Sequence, residues 1–397
     1  MESMQYTKRL LEEKIKETLA RNKSVLLLGP RQTGKSTLVE RLKPELSISL
    51  LVPDDRQRYE KTPGILIGEI EGIPKHKKNL PLVFIDEIQK VPQLFDVIQY
   101  IIDKKMAKFI LTGSSARKLR RGNNINLLPG RVITARLDPF INNELPSVKL
   151  MNYLLYGSLP GIYFTAGAEN KEDELKSYVT SYLEEEIRAE AIVRSLGSFA
   201  RFLELAASES GNIINLRKLS QGIGVSHTTI GSYYEILEDC LIIERVEPIT
   251  KSSTRKKLTK SHKYLFFDLG VRRLAAQEGI KPPKELLGKL FEQFIGIELI
   301  RCSRISNKNI RVKFWRDPDG PEVDWVIEKE NKYFPVEVKW TSAPSKNDIK
   351  HLKTFLAEYK NAKEGYVICQ TGRKLKLDEN IFAIPWQGID DLILSNV

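Results

Sequence analysis

The stretch Gly29-Pro-Arg-Gln-Thr-Gly34-Lys35-Ser36-Thr37 directly follows the apolar run Ser24-Val-Leu-Leu-Leu28, and Leu82-Val-Phe-Ile-Asp86-Glu87 comes further down the chain. The first segment fits a phosphate-binding loop between a strand and a helix. Gly29 and Gly34 let backbone N–H groups curl round phosphates, Lys35 reaches the β- and γ-phosphates, and the Ser36 hydroxyl is a Mg2+ ligand. Pro30, Arg31, Gln32, Thr33 and Thr37 complete the nucleotide-binding loop, and the free amides of the following helix add to its affinity for anions. The second segment reads as a buried strand ending in two carboxylates. Asp86 would hold Mg2+ and Glu87 would orient and deprotonate the attacking water. Together they predict nucleotide hydrolysis.

The rest of the first 145 residues predicts an α/β domain on a parallel sheet. Leu46-Ser-Ile-Ser-Leu-Leu-Val52 is strand-like, Leu94, Val97, Ile98, Ile101 and Ile102 recur at helical spacing, and Phe109-Ile-Leu-Thr112 reads as another buried strand. That last strand leads into Thr112-Gly-Ser114-Ser115, whose hydroxyls suit either a polar sensor of the γ-phosphate or a simple turn.

Composition bounds the class. The chain has 397 residues, 41% of them hydrophobic, enough for two to four domains. No apolar run is long enough for a membrane span, and Met1–Glu17 reads as a charged amphipathic helix, so a cytoplasmic protein without membrane partners is expected. Cys240, Cys302 and Cys369 are far apart and pair with none of the four histidines at zinc-site spacing. The 63 Lys+Arg against 51 Asp+Glu give a net charge of +12, which suits a polyanionic partner or simply a solvated basic surface.

The series GPRQTGKST, FIDEIQ, LTGSSARKL and LPGR resembles a family of prokaryotic AAA+ ATPases that carry a C-terminal domain of long-unknown function. The resemblance covers nearly the whole chain. It implies ATP and Mg2+ as cofactors, Thr112 and Ser114 as sensor residues, and Arg131 of LPGR as an arginine that contacts nucleotide or a neighbouring subunit, compatible with a homo-oligomer. Arg117, Arg120 and Arg121 compete for that role.

Residues 146–200 read as a helical connector. Its Tyr156-Gly-Ser-Leu-Pro160-Gly161 turn is followed by an acidic helix from Glu172 to Ala191, in which Glu184 to Glu186 form a solvated face. Residues 201–260 suggest a winged helix-turn-helix. Asn215 opens one helix, Gly222–Val225 makes the turn, Ser226 caps a second helix to Asp239, and Lys251–Lys260, with five basic and no acidic residues, forms a wing. Such an element contacts DNA in some proteins and other proteins elsewhere.

Residues 261–397 resemble the core of PD-(D/E)XK nucleases. Asp324 in Val-Asp-Trp-Val-Ile, Glu337 and Lys339 in Pro-Val-Glu-Val-Lys, and Glu292 on the preceding helix fill the positions of that pattern. Asp324, Glu337 and Glu292 would then be metal ligands, with Lys339 steadying the nucleophile. An interior salt bridge between Lys339 and a carboxylate is the structural alternative. Three expectations follow: an ATP-hydrolysing protein that processes or remodels duplex or branched DNA, an ATP-gated endonuclease, or a protein-directed signalling or defence ATPase. The fold expected is α/β, with a P-loop AAA+ sheet domain, a helical connector with a winged helix, and a C-terminal α/β restriction-endonuclease-like domain.

Overall fold

The structure, a computed structural model, describes residues 6–74, 79–113, 128–183, 196–252, 258–306, 309–318 and 320–394. The chain forms two compact units: Met1–Phe140 with Asp239–Ile242, and Ile141–Glu238 with Ile243–Val397.

In the first unit five strands, β1 (Ser24–Leu28), β2 (Leu46–Ser49), β3 (Leu82–Asp86), β4 (Lys108–Gly113) and β5 (Val132–Arg136), lie in the order β2-β3-β4-β1-β5. Every pairing is parallel. Parallel strands are covered on both faces, which explains the unbroken apolar runs of β1 and β3. Val25 and Leu27 point to one layer with Leu11, Ile15 and Leu19 of the helix Leu10–Ala20. Leu26 and Leu28 point to the other, with Leu94, Ile98 and Ile101 of the helix Leu94–Asp103. At roughly 1.5–3 kcal/mol per buried side chain, these two layers hold the sheet. β2 stops at Ser49, short of the apolar run's end at Val52, because Pro53 begins a helix with its ring at the first helical position.

Parallel register also decides which residues meet. Leu28 is level with Gly113 and Arg136, and Ser49 with Asp86, so the carboxyl ends of the strands share one edge. Val132 is level with Ser24, so Arg131 stands at the opposite edge, about 13 Å of strand away.

In the second unit the strands β6 (Ile243–Pro248), β7 (Lys263–Phe266), β8 (Ile310–Arg316), β9 (Glu322–Lys329), β10 (Lys332–Val338), β11 (Gly365–Cys369), β12 (Leu375–Asp378) and β13 (Ile381–Pro385) form one mixed sheet, ordered β12-β13-β11-β10-β9-β8-β6-β7. β8, β9 and β10 are an antiparallel meander. β11 joins β10 in parallel after the helix Lys350–Glu358, as a crossover requires. The helix Lys284–Ile305 packs Phe291, Phe294 and Ile295 on one face against Trp325 and Val336, while Leu352 and Phe355 cover the other against Val326 and Val367. The first contact is close: a Cβ on Gly296 would lie 2.5 Å from the Trp325 ring. Further along that helix the fully buried Glu298 accepts hydrogen bonds from Tyr153 Oη and Asn142 N, both 2.8 Å, with Arg301 at 3.6 Å. Burial outweighs the arginine and pushes its carboxyl up to about 7.

The helices Leu216–Ile223 and His227–Asp239 are joined through Gly224, whose φ of 80° is a left-handed turn that glycine adopts without strain. Asn215 caps the first by accepting from the Arg217 and Lys218 amides, and Ser226 accepts from the Thr229 amide at 3.1 Å. β6 and β7 then form an antiparallel hairpin. The acidic connector is described as the helix Ala168–Ser177 and a π-helical stretch Tyr178–Leu183; Glu184–Glu186 lie outside the described residues. No helix among the described residues is long and apolar enough to cross a membrane.

Candidate functional site

At the carboxyl edge of the first sheet, β1 ends at Leu28 and the loop turns at Gly29, where a Cβ would come 2.3 Å from the Leu137 carbonyl oxygen. Only glycine fits there. Gln32 and Gly34 have φ of 60° and 89°, which bend the chain before the helix Lys35–Arg41 starts. Pro30 and the buried Thr33 close the loop on itself, Thr33 Oγ1 donating to Pro30 O at 2.9 Å. Lys35, also buried, donates to Gly29 O at 2.8 Å and Pro30 O at 2.9 Å. Its ammonium therefore lies inside the loop. Arg31 is half-buried, while Ser36 and Thr37 are exposed on the first helical turn.

One strand over, Asp86 ends β3 and Glu87 follows in a left-handed conformation with φ of 57°. That backbone is uncommon for a non-glycine residue and turns the Glu87 side chain away from the strand direction. Thr112 on β4, fully buried, organises both acids. Its hydroxyl bonds Asp86 Oδ1 and accepts from the Glu87 amide at 3.2 Å. Gln89 Nε2 donates to Glu87 Oε2. The loop, the two acids and Thr112 thus share one edge of one sheet. Ser114, together with Arg117, Arg120 and Arg121, lies outside the described residues.

Arg131 is not at this edge. From the far end of β5 its guanidinium forks onto Asp103, with Nε–Oδ1 at 2.7 Å and Nη2–Oδ2 at 2.9 Å. Register thus keeps it from its own chain's loop, and the contact it makes is this salt bridge to Asp103, the structural alternative to a contact with nucleotide or a neighbouring subunit. Arg9 instead holds the loop from inside. Buried over the Phe140 ring at 4.8 Å, it donates to Thr33 O at 2.8 Å and Asp138 O at 2.6 Å. Nothing in the local sequence signals this, since Arg9 lies 24 residues before its partner.

The second constellation lies in the second unit. Asp324 on β9 and Glu337 on β10 are neighbours across an antiparallel pair, and the helix Lys284–Ile305 brings Glu292 to them. Asp324 Oδ2 accepts from Val338 N at 2.8 Å. Lys339 Nζ pairs with Glu337 Oε1 at 2.7 Å, whereas the buried Glu337 Oε2 has no hydrogen-bond partner. Glu292 Oε1 pairs at 3.0 Å with Lys263 Nζ, a residue outside the sequence pattern. Burial, and then the Glu292 and Glu337 carboxylates, hold the Asp324 carboxyl well above the usual range. Glu337 is likewise raised by burial, with Lys339 opposing. Burial disfavours the Lys263 charge, but Glu292 and Asp324 outweigh it and raise its pKa. Among the described residues, no group of three or more His, Cys, Asp and Glu has the geometry of a metal site. The three carboxylates are gathered as the pattern predicts, but each already has a partner within the protein.

Of this cluster, Lys263, Glu292 and Asp324 line a cleft of about 1030 Å³, together with Asn215, Arg217, Lys260, Lys289 and Arg316. Arg316 pairs with Glu322 at 3.0 Å. Arg217, Lys260 and Lys289 are exposed, and none forms an ion pair among the described residues.

Comparison with known proteins divides the chain into three. Residues 21–145 match the AAA domain, 147–283 a domain of unknown function (DUF8612) and 287–389 another (DUF4143). Uncharacterized proteins of Mycobacterium bovis (Mb2031c) and Mycobacterium tuberculosis (Rv2008c) are 25% identical over 382 residues, which is 94% of this chain and 82% of each relative. Similar solved structures include Cdc6p from Pyrobaculum aerophilum, at 12% identity and a TM-score of 0.27 over 70% of this chain and 98% of that one. Protein VC1899 from Vibrio cholerae is another, at 10% identity and a TM-score of 0.21 over 93% and 96%. The chain carries an AAA-type ATPase domain. The match spans the phosphate loop, Asp86, Glu87 and Thr112, and begins after Arg9.

Proposed function

We propose that this chain hydrolyses ATP to act on DNA held along the cleft of the second unit, remodelling it rather than cutting it. In the nucleotide site Lys35 would leave the Gly29 and Pro30 carbonyls for the β- and γ-phosphates as the loop amides close on them. The Ser36 hydroxyl and the Asp86 carboxylate are hard oxygen donors suited to Mg2+, which when bound offsets the phosphate charge. Glu87 would take the proton of the attacking water, with its backbone fixed by Thr112 and its carboxylate steered by Gln89. Arg9 acts at one remove, holding the loop in shape through Thr33.

The observation that carries the DNA reading is the trio Arg217, Lys260 and Lys289, exposed cations on one cleft that form no ion pairs among the described residues. Counter-ion release from a phosphate backbone favours such an arrangement, and the capped helix pair that supplies Arg217 has the form of a DNA-reading element. Duplex and branched DNA both remain candidate forms. The nuclease reading draws on the gathering of Asp324, Glu337 and Lys339, and DNA cleavage would be its signature.

ATP turnover measured with no DNA, single-stranded, duplex and four-way-junction DNA, at two salt concentrations, tests the proposal. Stimulation by one form that weakens with salt is the expected result. Turnover indifferent to every DNA form, with no binding, would turn the assignment to a protein-directed ATPase. The same DNA run on a denaturing gel reports any cutting.

A further inference from the structure

We propose that Lys263 is the resident cation of the second-unit carboxylate cluster, occupying with its ammonium the role a divalent ion would otherwise have, so that the site holds phosphodiesters without hydrolysing them. The inference deepens the DNA reading above and rests on it for the nature of the ligand.

Three features fix Lys263. Its backbone lies within β7, level with Val246, and is bridged to Ile213 on its other side. Its Nζ is 3.0 Å from Glu292 Oε1. The same ammonium lies 4.9 Å from the centroid of the Trp325 ring and 5.2 Å from that of Phe314. An ammonium bounded by two aromatic faces and a carboxylate is held by cation–π and ionic attraction together, and it has little room to withdraw.

Charge leads to the same conclusion. Lys263 and Lys339 place two positive charges against the Glu292, Asp324 and Glu337 carboxyls, 3.0 Å from Glu292 and 2.7 Å from Glu337. The Val338 amide donates to Asp324 in addition. A divalent ion on this set would share Glu292 with a fixed ammonium and be repelled by it. Each carboxylate already has one oxygen engaged, Glu292 Oε1 by Lys263, Glu337 Oε1 by Lys339 and Asp324 Oδ2 by the Val338 amide, and among the described residues no group of acids has the geometry of a metal site. Lys263 itself lines the cleft beside Arg217, Lys260 and Lys289, so its charge is directed at the same phosphate path.

Mn2+ binding to the full-length, nucleotide-free protein, followed by electron paramagnetic resonance, tests this without reference to activity. Wild type and Asp324→Asn are expected to bind Mn2+ alike. Lys263→Met, which keeps the length of the side chain and the aromatic contacts, is expected to gain one Mn2+ with at least about tenfold tighter affinity. Adding Asp324→Asn to Lys263→Met should abolish that gain. A Mn2+ ion on wild type that Asp324→Asn removes would overturn the proposal, and this comparison stands even if Lys263→Met does not fold. A folded Lys263→Met protein with no new site would overturn it too. Failure of the DNA reading would show separately, as wild type that binds no DNA whatever its Mn2+ behaviour.

Discussion

Two lysines, Lys35 of the first unit and Lys339 of the second, serve opposite ends in this molecule. Lys35 rests on the peptide carbonyls of Gly29 and Pro30, partial charges that a phosphate displaces readily. Lys339 rests on the full charge of Glu337, whose side chain is buried. The acids differ as well. Asp86 and Glu87 are organised by a neutral hydroxyl, that of Thr112, whereas Glu292 and Glu337 are each tied to an ammonium. Where charges hold each other, they contribute to the fold.

The comparison breaks most directly at its lysines. Lys35→Ala should lower ATP turnover by about 10³-fold or more, because electrostatic stabilisation of the transferring phosphoryl group disappears. Lys339→Ala should leave turnover unchanged and instead lower the unfolding free energy by about 1–3 kcal/mol, by stranding Glu337. Steady-state kinetics and chemical denaturation of both variants read out the two effects. A Lys339→Ala protein of wild-type stability would remove the contrast.

Next in size, Glu87→Gln should retain nucleotide binding while slowing hydrolysis by about 10²–10⁴-fold, as loss of a general base does. Binding of a fluorescent ATP analogue beside single-turnover hydrolysis separates the two. Thr112→Val should cost less, about 10- to 100-fold in turnover, since the hydroxyl only orients Asp86 and Glu87. An effect on binding alone would move Thr112 out of that role.

These residues were legible in the sequence because a phosphate loop and a strand-end acid pair are local patterns, set by consecutive residues on elements that are themselves apolar runs. Arg9 and Lys263 were not legible. Each reaches its site from a remote segment, Arg9 from before the first helix and Lys263 from a strand 29 residues ahead of Glu292, and a lone basic residue in a basic chain has no signature. Arg131 shows the converse. Its motif follows the sensor strand in sequence, but parallel pairing of β5 with β1 puts it at the far edge. Glu292, Asp324, Glu337 and Lys339 were found together because strand alternation and helix order fix their faces. The partner of Glu292, Lys263, lies outside that pattern, so how the cluster balances its charges was not readable from it.

Two smaller effects refine the picture. Glu298 has a carboxyl pushed up to about 7 in the folded protein, above its unfolded value near 4.5. Protons therefore bind the folded state more tightly, and stability should fall as pH rises from 4.5 to 7, by up to a few kcal/mol, and then level off. Thermal melts of Glu298→Gln should lose most of that slope; an unchanged slope would assign it elsewhere. Least of all, Arg217→Ala, Lys260→Ala and Lys289→Ala should each weaken duplex binding modestly and reduce the slope of log K against log salt by about 0.9. Fluorescence anisotropy over a salt series measures this, and slopes equal to wild type would take these cations off the phosphate path.

The Arg9 clamp also bears on how the ATPase part can be excised. A fragment beginning at residue 21, where the AAA match starts, would omit the guanidinium that bonds Thr33 and Asp138 and the Leu11, Ile15 and Leu19 side chains that cover one sheet face. Such a truncation would leave every residue of the proposed nucleotide site in place, yet it is expected to turn over ATP poorly. The smallest self-sufficient catalytic piece therefore begins upstream of Arg9.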